Sequence, residues 1–318
     1  RSSVSRTFCD LRPATCDLRP ATAPVLLTSF PDLACLKSRI ATPRAWPTVL
    51  LQVKAHEAYR PDVLGPLSLF ANVAGASVIR SEGMATRIPP GTYALTNAGA
   101  PYTLEIEGAA ETQNLHVRGA TASAIYRALV TPDDHLLDAP DAEGRPLTVV
   151  PRLYTRTTTL DRLLARAFEA ARATPAALDE AVADVLVHLL SVHRGALHEA
   201  ARVPAARAVT RAEVYQRLVR SVDLMHATPE AALPLDGLAA AACLSKYHYL
   251  RAFRQTFGTT PHRYHTRLRI ARAQRLLAGS RLAVAEVGLA VGFDEPSAFT
   301  RAFRRVVGVS PSGYRAAA

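Results

Sequence analysis

Apolar positions change their period along this chain. Between Trp46 and Val117 they fall in short runs broken by turn residues. Segments 50–55, 67–73, 77–80, 92–96, 102–106 and 113–117 read as strands. Gly65-Pro66, Gly75, Gly83, Pro89-Pro90-Gly91 and Asn97-Ala98-Gly99 punctuate them. Many short strands at close spacing predict a small barrel or sandwich. Further on, the period lengthens to that of a helix. Leu160, Leu163, Leu164, Ala167 and Phe168 share one face of a helix over 159–173. Leu178, Val182, Val185, Leu186, Leu189 and Leu190 do so over 176–192. The second stripe suits either of two roles, a cover for the strands or a seam between two copies of the chain. Residues 196–208 are small and loosely patterned and read as a linker.

A helix from about Thr210 follows, with Val214, Leu218, Val222 and Met225 as its apolar stripe and Thr228-Pro229 at its end. Beyond it the chain repeats itself. Arg251-Ala252-Phe253-Arg254 recurs as Arg301-Ala302-Phe303-Arg304, and Gly258, Pro261 and Tyr264 recur at the same spacing as Gly308, Pro311 and Tyr314. Such regularity marks an internal duplication. Upstream of each tetrad lies a short Ala-rich segment, a turn, and a capping residue, Ser245 or Asp294. The offset slips by one residue at the turn, so the second copy holds one residue more. Thr260-Pro261 opens a long helix between the copies and Gly279 stops it. Two helix-turn-helix units in tandem are predicted.

The segments 244–258, 269–277, 291–303, 308–311 and 314–315 closely resemble the DNA-binding domain of AraC/XylS-type transcriptional regulators. Gly288 departs from the usual Ala of that family but keeps the small residue a close helix crossing needs. The resemblance implies that Tyr247, Leu250, Arg251, Ser297, Thr300 and Arg301 face base edges. It assigns phosphates to Lys246, His248, Arg254, Arg304 and Arg305. Phe253 and Phe303, with Tyr249 and Phe299 one turn earlier, are core. The layout around Pro89-Pro90-Gly91 and Pro101-Tyr102 also resembles the cupin-like sensor domain that precedes many such readers.

The expected fold is therefore α+β in two domains. Residues 1–40 form a disordered leader and 41–195 a cupin-like barrel with helices that senses and dimerises. Residues 196–208 are the linker and 209–318 an all-α double helix-turn-helix. The implied partners are promoter DNA, a small-molecule effector, a second copy of the chain, and RNA polymerase if the outcome is activation. A cytoplasmic location is expected, and no apolar run reaches membrane-spanning length.

Charge agrees with this division. The net formal charge is +11. Residues 207–318 hold 17 Lys/Arg against 7 Asp/Glu, and residues 1–206 hold 21 against 20. The excess therefore sits with the repeat, as a phosphate partner requires. The leader contains Cys9-Asp10-Leu11-Arg12-Pro13-Ala14-Thr15 and, directly after it, the same seven letters from Cys16. Its Pro residues break helix and central strand alike. Cys243 reads as a small core residue, and four Cys without a CxxC pair fit neither a zinc ribbon nor a disulfide framework. His56, His116 and His135 lie far apart, so no metal, cofactor or catalytic group is assigned. The rival reading is a cupin-type enzyme fused to a DNA-binding module, which would need metal ligands in the barrel. No Gly-x-Ser-x-Gly supports a hydrolase.

Overall fold

A computed structural model describes residues 25–38, 40, 45–81, 83–131 and 147–317. The first copy of the seven-residue repeat, the second, and His135 lie outside them. Within the described residues the front of the chain is a sheet with helices on it, and the rear is helical.

Eight strands make one sheet: β1 (Val25–Leu27), β2 (Val49–Leu64), β3 (Leu67–Ala74), β4 (Ser77–Ser81), β5 (Met84–Ile88), β6 (Thr92–Thr96), β7 (Pro101–Val117) and β8 (Leu153–Thr155). The order is β1-β2-β7-β3-β6-β8, with β4 pairing β7 and β5. The long β7 is the axis. Along one edge it pairs β2, and along the other it pairs first β4 and then β3. The sequence pattern divides β7 in two, but the strand runs on through Gly108. There φ is +82°, and the register against β2 slips between Ala55 and Glu57, so the glycine supplies a bulge and not a break. β1, β5 and β8 each have a single neighbour, so the sheet stays open. The closed barrel implied by the resemblance is not formed by this pairing.

Both faces of the sheet are apolar, which explains runs with little polar alternation. On one face Leu50, Leu69, Tyr93 and Leu115 pack against α2 (Gly119–Val130), α3 (Thr158–Ala173) and α4 (Pro175–Ala201). On the other, Leu51, Phe70, Ile88, Leu104 and Ile106 pack with Trp46 and with Phe30 and Leu36 of α1 (Phe30–Ser38).

Two expectations are corrected here, on the leader and the linker, and for the α4 stripe one of the two alternatives is favoured. The leader is not disordered throughout, because Val25–Leu27 pairs in parallel with β2 and Leu27, Phe30 and Leu36 are buried. The apolar stripe of α4 is cover and not a seam. Leu186 and Leu189 are buried within one chain, in the cluster that backs the sheet. The linker is mostly helix: α4 runs to Ala201, and α5 (Ala208–Ala227) starts after a short loop. Small residues there permit close packing. Val203 is buried with Tyr215 and Val219 of α5, and Ala200 packs beside them.

The front and rear are joined by polar contacts as well. Arg152 donates to Glu199 Oε2 at 2.6 Å and to Tyr215 Oη at 2.9 Å. The Leu153 N–H donates to Asp223 Oδ1 at 2.8 Å. Burial pushes the Asp223 carboxyl up to about 7, against the opposing pull of that N–H and of Arg152.

Candidate nucleic-acid interface

The rear unit continues with α6 (Leu235–Ala241), α7 (Lys246–Phe257), α8 (Pro261–Gly279), α9 (Val284–Ala290), α10 (Pro296–Val307) and α11 (Pro311–Ala317). The two duplicated units are α6–α7 and α9–α10, with α8 between them.

The first unit is built on α5. Leu218, Val222 and Met225 meet Leu238, Ala239 and Ala242, and on these sit Tyr249, Ala252 and Phe253 of α7. Ser245 caps α7, its Oγ accepting from the His248 N–H. Gly258 ends the helix at φ +67°, and its N–H donates to the Arg254 carbonyl at 2.9 Å. The second unit rests on α8, where Ile270, Ala273 and Leu277 meet Val287, Val291, Phe299 and Phe303. Gly308 closes α10 in the same left-handed way. Even the ring contacts repeat. Tyr264 meets Phe253 edge-on at 5.7 Å, and Tyr314 meets Phe303 edge-on at 5.6 Å.

With one face of each helix committed to the core, the opposite face is exposed. On α7 it carries Lys246, Tyr247, His248, Arg251 and Arg254, while Leu250 is half-buried. On α10 it carries Ser297, Thr300, Arg301, Arg304 and Arg305. Among the described residues the five arginines make no ion pair within a single chain. Lys246 pairs with Asp236 at 2.7 Å, but both are exposed, and such a pair holds weakly. Thr300 Oγ1 donates to the Pro296 carbonyl at 2.9 Å, and Ser297 Oγ lies 3.5 Å from Glu295 Oε2.

Two details differ from the sequence reading. The residue that caps α10 is Glu295, not Asp294, which places the extra residue of the second copy in the turn itself. Cys243 is not core. It is exposed and occupies the turn at φ +51°, where the second copy has Gly292 at +84°.

Arg269, on α8, has a part that the sequence pattern does not reveal. Its guanidinium donates to the carbonyls of Pro229 (2.8 Å), Gly292 (2.9 Å), Ala231 (3.0 Å) and Glu230 (3.4 Å), and lies 5.6 Å from the Phe293 ring centre. It thereby ties the loop before α6 to the turn of the second unit. An arginine beside the buried Ile270 in mid-helix is the one hint, since a charge next to an apolar stripe needs partners.

In the front unit, His116 is a core residue. Its Nδ1 lies 2.8 Å from Ser68 Oγ, Trp46 and Phe70 flank the ring, and burial lowers it to about 4. His56 is exposed elsewhere. Among the described residues no three His, Cys, Asp or Glu converge as metal ligands, and no helix is long and apolar enough to cross a membrane.

A family model described as a helix-turn-helix domain matches residues 238–317. The MmsAB operon regulatory protein of Pseudomonas aeruginosa is 44% identical over 85 residues, 27% of this chain and 28% of that protein. The arabinose operon regulatory protein of Salmonella typhimurium is 38% identical over 82 residues, 26% and 29% of the two chains. The matched segment thus spans under a third of these relatives. Among solved structures, the DNA-binding domain of AdpA in complex with a target DNA is 36% identical. The match covers 32% of this chain and 91% of that one, at a TM-score of 0.31.

Proposed function

Residues 238–317 forming an AraC-type helix-turn-helix domain, we propose that this protein is a sequence-specific DNA-binding regulator of transcription whose front unit answers a small molecule. One observation carries the reading. Two helices with matching cores expose matching arginine faces, and a single uninterrupted helix, α8, holds them apart. In this reading Arg251 and Arg301 grip guanine edges bidentately. Tyr247, Ser297 and Thr300 make the remaining polar base contacts, and Leu250 offers an apolar one. Lys246, His248, Arg254, Arg304 and Arg305 hold phosphates. The front unit is an opened relative of the cupin-like sensors. Its further partners are a second copy of the chain and, where the outcome is activation, RNA polymerase. This role belongs in the cytoplasm.

The test is selection from a random duplex pool with the full chain, followed by titration of a selected and a scrambled duplex at several salt concentrations. One enriched motif with two half-sites about one helical turn apart is expected, with affinity falling steeply as salt rises. A pool without enrichment, or an affinity indifferent to salt, rejects the reading.

A further inference from the structure

Front and rear enclose a cleft of about 600 Å³, with the Pro89–Pro90–Gly91 turn and Arg156 on the sheet side and α8 on the other. Its volume is that of a metabolite site. Its charges do not balance. Four guanidinium groups line it (Arg87, Arg156, Arg272 and Arg275) against two carboxylates, Asp161 and Glu230. Each carboxylate already has a partner, Arg156 for Asp161 and Arg272 for Glu230. Arg87 is exposed, so water suffices for it.

Arg275 is the exception. It is half-buried, and none of the ion pairs among the described residues includes it. Its Nη1 reaches only two carbonyls, Gly91 at 3.3 Å and Arg156 at 3.4 Å, both long for charged donors. Burial pulls its pKa down, Asp161 opposes this from beyond ion-pair distance, and the neighbouring Arg272 and Arg156 add to the downward pull. The opposing wall is nevertheless shaped to receive it. Gly91 sits at φ +83°, and a Cβ there would fall 2.1 Å from Arg275 Nη2. Holding a guanidinium in this way is unfavourable unless an anion completes it.

On the sheet face that carries Trp46, Phe70, Tyr102 and His116, these side chains pack ring against ring. We propose that the cleft is the effector site and that it binds a small organic oxyanion, a carboxylate or a phosphate ester, whose oxygens take the two-pronged face of Arg275. Leu268, Ala271 and Leu276 supply an apolar wall for the rest of the molecule. Such a ligand would touch the sheet and α8 together. Since α8 is shared by both helix-turn-helix units, occupancy would reset how the reader sits on the sensor. This inference rests on the proposal that the front unit is a sensor.

The experiment is calorimetric titration of the full chain with inorganic phosphate, glycerol 3-phosphate, succinate and benzoate, repeated on Arg275→Gln and on Arg162→Gln as a surface-charge control. Saturable binding of at least one probe is expected, weakened about tenfold or more by Arg275→Gln and unchanged by Arg162→Gln. The phosphate and carboxylate arms separate the two ligand sources. Arg275→Gln should still fold, because it gives up only two long contacts to carbonyls. Should it misfold, Arg275→Lys keeps the charge, loses the fork, and should still weaken binding. No binding by any probe at millimolar concentration, or equal binding by the Arg275 variants, overturns the site. Titrating DNA with and without the bound probe separates the two ideas. Binding that leaves DNA affinity unchanged upholds the cleft and rejects the sensor. A probe effect on DNA affinity that survives Arg275→Gln upholds the sensor and rejects the cleft.

Discussion

The two helix-turn-helix units have matching cores in different surroundings. The first is backed by α5, and Phe257 at the end of α7 packs into the cluster of Val203, Tyr215 and Val219 that leads to the front unit. The second packs on α8 and α11, with its turn against the loop at Glu230. The turns respond to this difference. At Gly292 a Cβ would fall 2.2 Å from the Glu230 carbonyl oxygen, so backbone sterics and the neighbour both demand glycine. At Cys243 the same left-handed conformation opens to solvent, so a side chain is tolerated at the cost of backbone strain alone. Duplication preserved the conformation, and local crowding decided the residue.

The strongest attack on this comparison is Gly292→Ala. It forces a Cβ onto backbone that cannot move cheaply, and a loss of about 3 kcal/mol is expected. Urea unfolding measures it, and a loss below about 1 kcal/mol would mean that the loop at Glu230 yields. Next is Arg269→Ala, which leaves four carbonyls without their charged donor and should cost about 2–3 kcal/mol. Arg269→Lys should recover little of this, since an ammonium cannot span carbonyls from both segments. Hydrogen exchange should show faster opening in the second unit than in the first.

A third prediction concerns the exposed face. Arg301→Ala should cost about 1–3 kcal/mol on a selected duplex and relax preference at one base position. Arg304→Ala should weaken selected and scrambled duplexes alike and reduce the salt slope by about one. Equal losses on both duplexes for Arg301→Ala would make it a phosphate contact. The smallest effect is Cys243→Gly. Relief of left-handed strain slightly exceeds the added chain entropy, so stability should rise by less than about 1 kcal/mol. Thermal unfolding of the reduced protein reads it, and a loss of stability would show that the Cys243 side chain makes contacts that matter.

Much of the rear unit was legible because its information is local. The constant spacing from Phe253 to Phe303 and from Tyr264 to Tyr314 dictates equivalent packing, and Ser245 announces the start of α7 through its cap. The cap of α10 was misplaced by one residue because Asp294 is the better capping type, yet the chain turns on to Glu295. The front unit was harder to read. Two apolar faces remove the polar alternation that marks strand direction, and β1 and β8 have three residues each, too few for a period to show. The stripe on α4 was ambiguous for a related reason, since periodicity identifies an apolar face without saying what covers it. The contacts of Arg269 and Arg275 depend on loops distant in sequence, and apart from a charge beside the apolar Ile270 no local pattern points to them.

The length of α8 has one more consequence. Its 19 residues extend about 28 Å without interruption. Once one reading helix has docked, the other becomes an intramolecular ligand for the neighbouring groove, and its effective concentration is set by the connector. A flexible tether would spread that concentration over many separations. A stiff one concentrates it at a single separation and leaves almost none elsewhere. Avidity on this protein is therefore conditional on operator geometry. Two perfect half-sites set half a turn out of phase should bind little better than one, whereas a poor second half-site in phase should still add measurably to the first.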